Sequence, residues 1–397
     1  IEYEASNCQI QTANTVFVCQ TAPGFGFNHK WRVVLESRTS GWSINTTSYK
    51  LPIVSHIHGP GSVQAATAGG QEVYIDGNYF GPESTGVASS IYIVASYGPF
   101  PGAWEDNLTT LPYTPMCRVS IAHTRITCIS AVGVGKNHSW KVSVAGQSPT
   151  MSVIHAETSY GPPIIYEIVD ENYLPLIRAK TSGYEYLIIR GNNFGTVNNP
   201  GAPIVFYRSL PGADSQDSNI TRFDAIACNV SIPHTEMKCY TQPGAGVSYI
   251  LELKIEGQNS VVATTTYGIP EITAITGPGA SSAQGDGNQT VYISGNNFGP
   301  FGNKQFFQSV TYGEQGVEYV ADCVHHGHTS IECKTTAGAG ADLFWQVTIL
   351  GQTNLLSSNG RTSYAPPNVG ESIPVKIETN GGKIMQLVGS NFGISDS

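Results

Sequence analysis

The stretch SGNNFGP, residues 294–300, closes an alternating apolar segment and recurs three more times along the chain. The other copies are DGNYFGP at 76–82, RGNNFGT at 190–196 and VGSNFGI at 388–394. The alternating segment before each copy predicts a β-strand, and Gly and Asn tolerate the positive φ of a tight turn. We call this stretch the Phe-Gly turn. Its aromatic residue is expected to plug the end of a hydrophobic core: Phe80, Phe194, Phe298 and Phe392.

The composition describes a folded, acidic and weakly charged chain. Its 397 residues exceed the usual length of one compact domain. Charged residues make up 12%, about half of the ~25% typical of soluble domains. The net charge is −9 and Lys and Arg form no cluster, which excludes a nucleic-acid backbone as partner. No apolar run approaches the ~18 residues of a membrane-spanning helix, so this segment is expected to have no membrane span.

The eight Cys residues fall into four pairs with a nearly constant separation. An even number at a recurring spacing, without any CxxC motif, favours four disulfides and an oxidising compartment. Buried free thiols are the alternative. The pairs are Cys8 with Cys19, Cys117 with Cys128, Cys228 with Cys239, and Cys323 with Cys333.

Two further markers recur in the same order and show that the chain is an internal repeat. One is a Gly-x-Gly loop, at Gly24/Gly26, Gly133/Gly135, Gly244/Gly246 and Gly338/Gly340. The other is a Tyr-x-x-Pro junction, at Tyr49/Pro52, Tyr160/Pro163, Tyr267/Pro270 and Tyr364/Pro367. The repeat length is roughly 100 residues, the size of one β-sandwich domain. Because Pro restricts itself and its predecessor, each junction is expected to be extended and stiff.

Alternating stretches such as CRVSIAHTRITC, WKVSVAGQ and LELKIEGQ dominate the chain, which predicts an all-β fold. The Phe-Gly turn, the Cys pair, the Gly-rich loop and the closing Ser-Tyr strand together resemble the IPT/TIG domain. That domain is an immunoglobulin-like (E-set) β-sandwich found in plexins, Met-type receptors, fibrocystin-like proteins and some transcription factors. The resemblance implies a tandem array of such sandwiches over essentially the whole chain.

The resemblance divides the chain into five modules. Residues 51–161, 162–268 and 269–365 are expected to be whole domains. Residues 1–50 are expected to be the back half of a domain, and residues 366–397 the front half of another. The chain begins IEYEASNC, which we interpret as a processed or truncated start. The native object is then longer than this segment: either the array continues in one chain, which we favour, or one molecule completes the next by strand complementation.

For the histidines, the Gly-x-Gly loops and the aromatic residues after them, a structural role explains the sequence pattern better than a binding site does. In VHHGHTS, His328 aligns with His123, His234 and Asn14, and these residues share tolerance of left-handed turns rather than metal affinity. A weak metal site at His325 and His326 stays open.

The Gly-x-Gly loops precede predicted strands rather than helices. These strands begin near Trp31, Trp140 or Trp345, with Tyr249 nearby in the segment 162–268. A phosphate loop needs a helix there, so these residues are expected to pack.

No catalytic, metal or cofactor motif appears, so the chain is not expected to be an enzyme. N-glycan acceptor motifs occur at Asn45, Asn107, Asn137, Asn219, Asn229 and Asn288. Occupancy is expected foremost at Asn107, Asn219 and Asn288, and Ser/Thr-rich loops can carry O-glycans.

The sequence therefore predicts a secreted, extracellular or cell-surface structural protein: a glycosylated rod or fibre whose partners are neighbouring modules or copies of itself. The main alternative is the stalk of a receptor or adhesion ectodomain that binds a protein or glycan ligand. A module attached to a carbohydrate-acting enzyme is a third possibility, which the absence of a catalytic domain disfavours.

Overall fold

The computed structural model describes residues 2–84, 92–99, 113–148, 154–199, 201–209, 222–302, 306–356 and 359–394. Every regular element in these ranges is a β-strand. The described residues contain no helix long and apolar enough to span a membrane. We keep the five predicted segments as labels and refer to them as modules 1 to 5.

Module 2 contains two sheets. Four strands precede it in module 1: β1 (Ser6–Thr12), β2 (Val16–Gln20), β3 (Val34–Leu35) and β4 (Arg38–Thr39). The strands of module 2 are β5 (Ile53–His58), β6 (Glu72–Asn78), β7 (Ile93–Pro99), β8 (Met116–Ile121), β9 (Arg125–Ile129), β10 (His138–Val144) and β11 (Ile154–Thr158). The first sheet has the order β5-β6-β9-β8 and the second β11-β10-β7. A parallel bridge joins Ala65, in the connection between β5 and β6, to Tyr160, which follows β11 of the second sheet.

Module 3 repeats this arrangement with a wider second sheet. Its strands are β12 (Ile164–Val169), β13 (Arg178–Ala179), β14 (Tyr186–Asn192), β15 (Ile204–Ser209), β16 (Arg222–Asp224), β17 (Ile226–Ile232), β18 (Glu236–Tyr240), β19 (Tyr249–Ile255) and β20 (Gln258–Tyr267). The sheets have the orders β12-β14-β18-β17 and β13-β20-β19-β15-β16. The short strand β13 runs parallel to β20, at the position of the bridge in module 2.

Module 4 has the same two-sheet plan. Its strands are β21 (Glu271–Thr276), β22 (Thr290–Asn296), β23 (Phe307–Gly313), β24 (Tyr319–Val320), β25 (Asp322–His325), β26 (Ser330–Lys334), β27 (Leu343–Ile349), β28 (Gln352–Thr353) and β29 (Arg361–Thr362). One sheet is β21-β22-β26-β25; the other is β24-β23-β27-β28, with β29 also paired to β27. Two layers of antiparallel strands with these orders form an immunoglobulin-like sandwich.

The two end modules have only two-stranded sheets in the described residues. Module 1 has β1 (Ser6–Thr12) with β2 (Val16–Gln20) and β3 (Val34–Leu35) with β4 (Arg38–Thr39); module 5 has β30 (Asn368–Ile373) with β31 (Gln386–Ser390). Their core-type side chains lie open to solvent. Phe392 is 51% exposed and Trp31 is 37% exposed, whereas Phe298 is fully buried. Such two-stranded sheets with an uncovered face have little stability of their own.

The predicted core positions are buried in the three central modules. Phe80, Phe194 and Phe298 have no exposed surface, so the aromatic residue of the Phe-Gly turn does plug the core. Trp140 and Trp345 are also buried, and each indole Nε1 donates to a threonine hydroxyl on the neighbouring strand. Burial of the indole with its N–H satisfied stabilises the sandwich without a polar penalty.

The structure joins the Cys residues as four disulfides, each within one module. In modules 2 and 4 the paired residues face one another across two adjacent strands: Cys117 with Cys128 and Cys323 with Cys333. Three of the four bonds therefore close the β-hairpin of a whole module, and the bond between Cys8 and Cys19 closes the corresponding hairpin of module 1.

Replacing Cys117 and Cys128 by serine is expected to lower the free energy of unfolding of module 2. Closing a loop of about ten residues stabilises a fold by ~2.5–3 kcal/mol in the chain-entropy model. Denaturant unfolding of the variant measures this loss, with the Cys8/Cys19 double serine variant as a control outside a whole module. Peptide mapping under non-reducing conditions that found links between modules would contradict the local pairing.

Candidate functional site: the repeated junction between modules

The Phe-Gly turn of each module meets the Gly-x-Gly loop of the module before it. The middle residues of the loops are Phe25, Val134, Ala245 and Ala339, and they lie against Gly81, Gly195, Gly299 and Gly393 respectively. All four of these glycines have a left-handed φ, between 71° and 89°. A Cβ on Gly81 would lie 2.6 Å from the Phe25 ring. The final glycine of the turn therefore serves two purposes. Its positive φ lets the chain reverse, and its lack of a side chain lets the loop of the preceding module pack closely against it.

The middle residue of the loop packs with the core of the next module at the first two junctions, through Phe25 and Val134. Val134 packs in the apolar cluster of modules 3 and 4 rather than in that of module 2. The same cluster runs without interruption from module 3 into module 4 and includes Ala245 and Leu350. Phe223 of module 3 and Phe306 of module 4 have ring centroids 6.1 Å apart. Apolar burial thus holds these modules together.

The junction tyrosine holds the Gly-x-Gly loop in place through its side-chain hydroxyl. The Tyr160 hydroxyl donates to the Ala131 carbonyl at 2.6 Å and lies 2.5 Å from the Tyr97 hydroxyl. A Cβ on Gly133 would lie 2.7 Å from the same hydroxyl, which explains the first glycine of the loop. Tyr267 makes the equivalent bonds in module 3. Burial raises the pKa of both tyrosines, so they stay protonated donors.

In modules 2, 3 and 4, a glutamine binds the backbone of the junction tyrosine of the preceding module. It stands after the strand in the segments AGQ, EGQ and LGQ. The side-chain amide donates to the tyrosine carbonyl: Gln147 to Tyr49 at 3.1 Å, Gln258 to Tyr160 at 2.7 Å and Gln352 to Tyr267 at 2.9 Å. The recurring Gly-Gln pair was visible in the sequence, but its role was not predicted.

The Asn before the phenylalanine ties the two sides of a junction together. In module 4, Asn297 donates to the Ile269 carbonyl at 3.2 Å and accepts from the Thr181 amide of module 3 at 3.4 Å. In module 5, Asn391 accepts from the Gly285 amide of module 4 at 3.0 Å. Module 2 has Tyr79 at this position. One side chain thereby satisfies backbone groups from two modules, as buried polar groups require.

The hairpin histidines also belong to the junction, which the sequence did not predict. His234 Nδ1 lies 2.8 Å from Thr67 Oγ1 of module 2, and His328 Nδ1 lies 2.9 Å from Thr181 Oγ1 of module 3. Burial lowers the pKa of both histidines, which favours the neutral ring in this hydrogen bond.

The left-handed turn was predicted correctly for His123 and His234, with φ of 64° and 66°. It was wrong for His328, because in this shorter hairpin Gly327 takes the positive φ. The neighbouring His325 stacks on Phe307, and His326 lies 3.6 Å from Glu332. The residues that the structure describes hold no group of three metal-ligating side chains.

Beneath the loop of module 2 lies His138, a buried histidine at the position of His29, Tyr249 and Leu343. His29 and Tyr249 bond a loop carbonyl there. The His138 ring lies near the Val134 carbonyl, but neither ring nitrogen makes a hydrogen bond. The ring contacts the rings of Tyr97, Tyr113 and Tyr160. Burial lowers its pKa to about 4.

Four of the six predicted glycan acceptors lie in described parts of the chain, and all four are exposed: Asn45, Asn137, Asn229 and Asn288. Asn107 and Asn219 lie outside the described residues. Exposure makes the four asparagines accessible as acceptors.

The two-sheet modules and their shared junction define a class, the tandem immunoglobulin-like protein. The model of the IPT/TIG domain matches residues 173–269 and 270–364. These two tandem matches are to the IPT/TIG domain that the motifs predicted.

Several solved structures resemble this chain at low sequence identity. They include a protein crystallised with a xylogluco-oligosaccharide, 14% identical over 78% of this chain and 59% of the other, with a TM-score of 0.30. The plexin A4 extracellular region is 14% identical over 87% and 29%, at 0.23. Bacterial invasin, an integrin-binding protein, is 12% identical over 86% and 67%, at 0.24. The chain spans less than two thirds of the first two. No curated protein matches it significantly.

Replacing Gly195 by alanine is expected to destabilise the junction of modules 2 and 3 beyond the backbone cost. Gly195 and Gly257 have nearly equal φ, 71° and 74°, so alanine costs about 1–2 kcal/mol at either position. Only at Gly195 does the added methyl meet Val134 and Asn199. Denaturant unfolding and proteolysis around residues 159–164 compare Gly195→Ala with the control Gly257→Ala. Equal effects of the two changes would show that the close approach has no energetic role.

Module 2 is expected to lose stability as the pH falls from about 6.5 to about 4. The pKa of His138 is lowered in the folded state, so the unfolded chain binds its proton first and the stability present at pH 7 is lost over this window. The shift corresponds to about 3 kcal/mol. His138→Tyr, which copies Tyr249, is expected to flatten this dependence, whereas His123→Asn at the exposed turn is not. Denaturant titrations at pH 4 and 7 measure it, and an unchanged slope in His138→Tyr would count against the assignment.

Proposed function

We propose that this chain is a segment of an extracellular, glycosylated structural array, in which immunoglobulin-like modules form a stiff rod or fibre without catalysis. The observation that carries the proposal is the junction. Contacts of the same kind recur along the chain: the Phe-Gly turn meets the preceding loop at all four junctions, and a glutamine binds the junction tyrosine at three of them. These residues come from motifs that the sequence repeats. The proposed units are the five segments bounded near residues 50, 161, 268 and 365.

Stiffness follows from what occupies each junction. No flexible linker separates the closing tyrosine of one module from the opening proline of the next, and Pro52, Pro163 and Pro270 are buried. At the junction of modules 2 and 3, Val134 enters the next core, Gln258 binds the Tyr160 carbonyl, and Thr67 binds His234. A bend at a junction would expose apolar surface and leave buried polar groups unpaired, which costs free energy at each contact.

The extracellular location is supported by four disulfides, which persist in oxidising compartments. It is also supported by the four exposed acceptor asparagines, which a secretory pathway can glycosylate. Low charge and the absence of Lys and Arg clusters fit a structural role better than nucleic-acid binding.

The same rigid junctions would serve the stalk of a receptor or adhesion ectodomain. The two functions differ in assembly. A fibre protein associates with further copies end to end, whereas a stalk holds another domain at a fixed distance from the cell surface. Particles imaged from the native source distinguish them: filaments support the fibre, and separate rods support the stalk.

Solution scattering of the full chain tests the rod itself. The unmodified chain is expected to scatter as an extended, stiff particle. Gln258→Ala with Gln352→Ala removes the amide bonds at two junctions and is expected to increase flexibility, whereas Gln315→Ala, at an exposed side chain, is not. A compact envelope for the unmodified chain, or equal flexibility in both variants, would overturn the rod.

A further inference from the structure

Two tyrosines, one exposed and one half-buried, lie on the outer face of the first sheet of module 3. The rings of Tyr186 and Tyr240 have centroids 4.9 Å apart, and the Tyr240 hydroxyl donates to that of Tyr186 at 3.2 Å. Tyr186 is 39% exposed. The two residues face one another across strands β14 and β18. Together they present a continuous aromatic surface to solvent.

The acceptor asparagine Asn229 lies beside this surface. It is on the edge strand β17, directly opposite Lys238 of β18. Lys238 is two residues from Tyr240, and alternate residues of a strand share a face. Asn229 therefore projects from the tyrosine face, one row away from the pair. Diagonal neighbours across a sheet are about 7–8 Å apart, within reach of the first sugar of a glycan.

Only module 3, among the three central modules, combines these features in the described residues. The residue pair opposite each other at the tyrosine positions is Glu72 with Ile129 in module 2 and Thr290 with Lys334 in module 4. The residues at the Asn229 position are Arg118 and Val324. Neither of these modules has an acceptor asparagine or an aromatic pair at that place.

We propose that Asn229 carries an N-linked glycan whose first sugars lie across Tyr240 and Tyr186. A pyranose ring has an apolar face of C–H groups, which packs on the flat face of an aromatic ring, and its hydroxyls bond outward to water. The tyrosines lose exposed apolar area, and their hydroxyls keep polar partners. This inference rests on the proposed function in one respect, that the chain passes through a glycosylating compartment.

Hydroxyl-radical footprinting of the full chain, secreted from a glycosylating eukaryotic host, tests the contact. The glycan is removed by Asn229→Gln, which keeps the Ser231 hydroxyl, and by Ser231→Ala, which keeps Asn229. The oxidation of Tyr186 and Tyr240 is expected to rise roughly twofold in both variants, because a stacked sugar covers one of the two ring faces. Tyr292, exposed at 44% on the equivalent face of module 4, is the internal control and is expected to stay constant.

Site occupancy is measured in the same samples by glycopeptide mass spectrometry. An occupied Asn229 with protected tyrosines supports the inference. Equal tyrosine oxidation with and without the glycan overturns it and leaves the pair to a protein partner. A bare Asn229 also overturns it, and the proposed function survives if Asn45 and Asn288 carry glycans. If every acceptor is bare, the inference and the extracellular part of the proposed function fail together.

Discussion

Each whole module, and its connection to the following module, depends on the hydrogen bond that the buried hydroxyl of the junction tyrosine makes. In module 2, the Tyr160 hydroxyl binds the Ala131 carbonyl and fixes the Gly-x-Gly loop above it. The carbonyl of the same tyrosine accepts the amide of Gln258 from module 3. Its side chain therefore completes one core while its backbone begins the next contact. A change in this residue would disturb two modules at once, which explains why the tyrosine recurs with the loop.

The residues at successive junctions differ in size in a compensating way. Phe25, the largest middle residue, belongs to a loop that faces Ala145 of the next module, whereas Ala245 belongs to a loop that faces Leu350. Val134 is intermediate in size, and its loop faces Glu256 at Gly135. Close packing conserves the total volume of a contact rather than the identity of either side. The junctions can therefore keep one geometry although the chain does not repeat the same residues.

Features within one module could be predicted from the sequence, because they depend on neighbours along the chain. The burial of Phe298 and the left-handed φ of His234 follow from local patterns that recur in register. The His234–Thr67 bond could not be predicted in the same way, since it depends on how two sandwiches are oriented. The shift of the turn from His328 to Gly327 shows how one fewer residue in a hairpin moves the strained position. The Tyr-x-x-Pro motif marked the junctions, and the recurrence of Gly-Gln after a strand was the signal in the sequence for the glutamine contact.

Each junction joins two unlike surfaces, the Gly-x-Gly end of one module and the Phe-Gly end of the next. A heterologous contact of this kind has a direction, because the two surfaces that meet are different. Because the Phe-Gly turn meets the preceding Gly-x-Gly loop at all four junctions, every module points the same way along the chain. An array built in this way is polar, with Gly-x-Gly loops facing one direction and Phe-Gly turns facing the other. Tension applied along it passes through every junction in series, so the weakest junction sets the force at which the whole array yields.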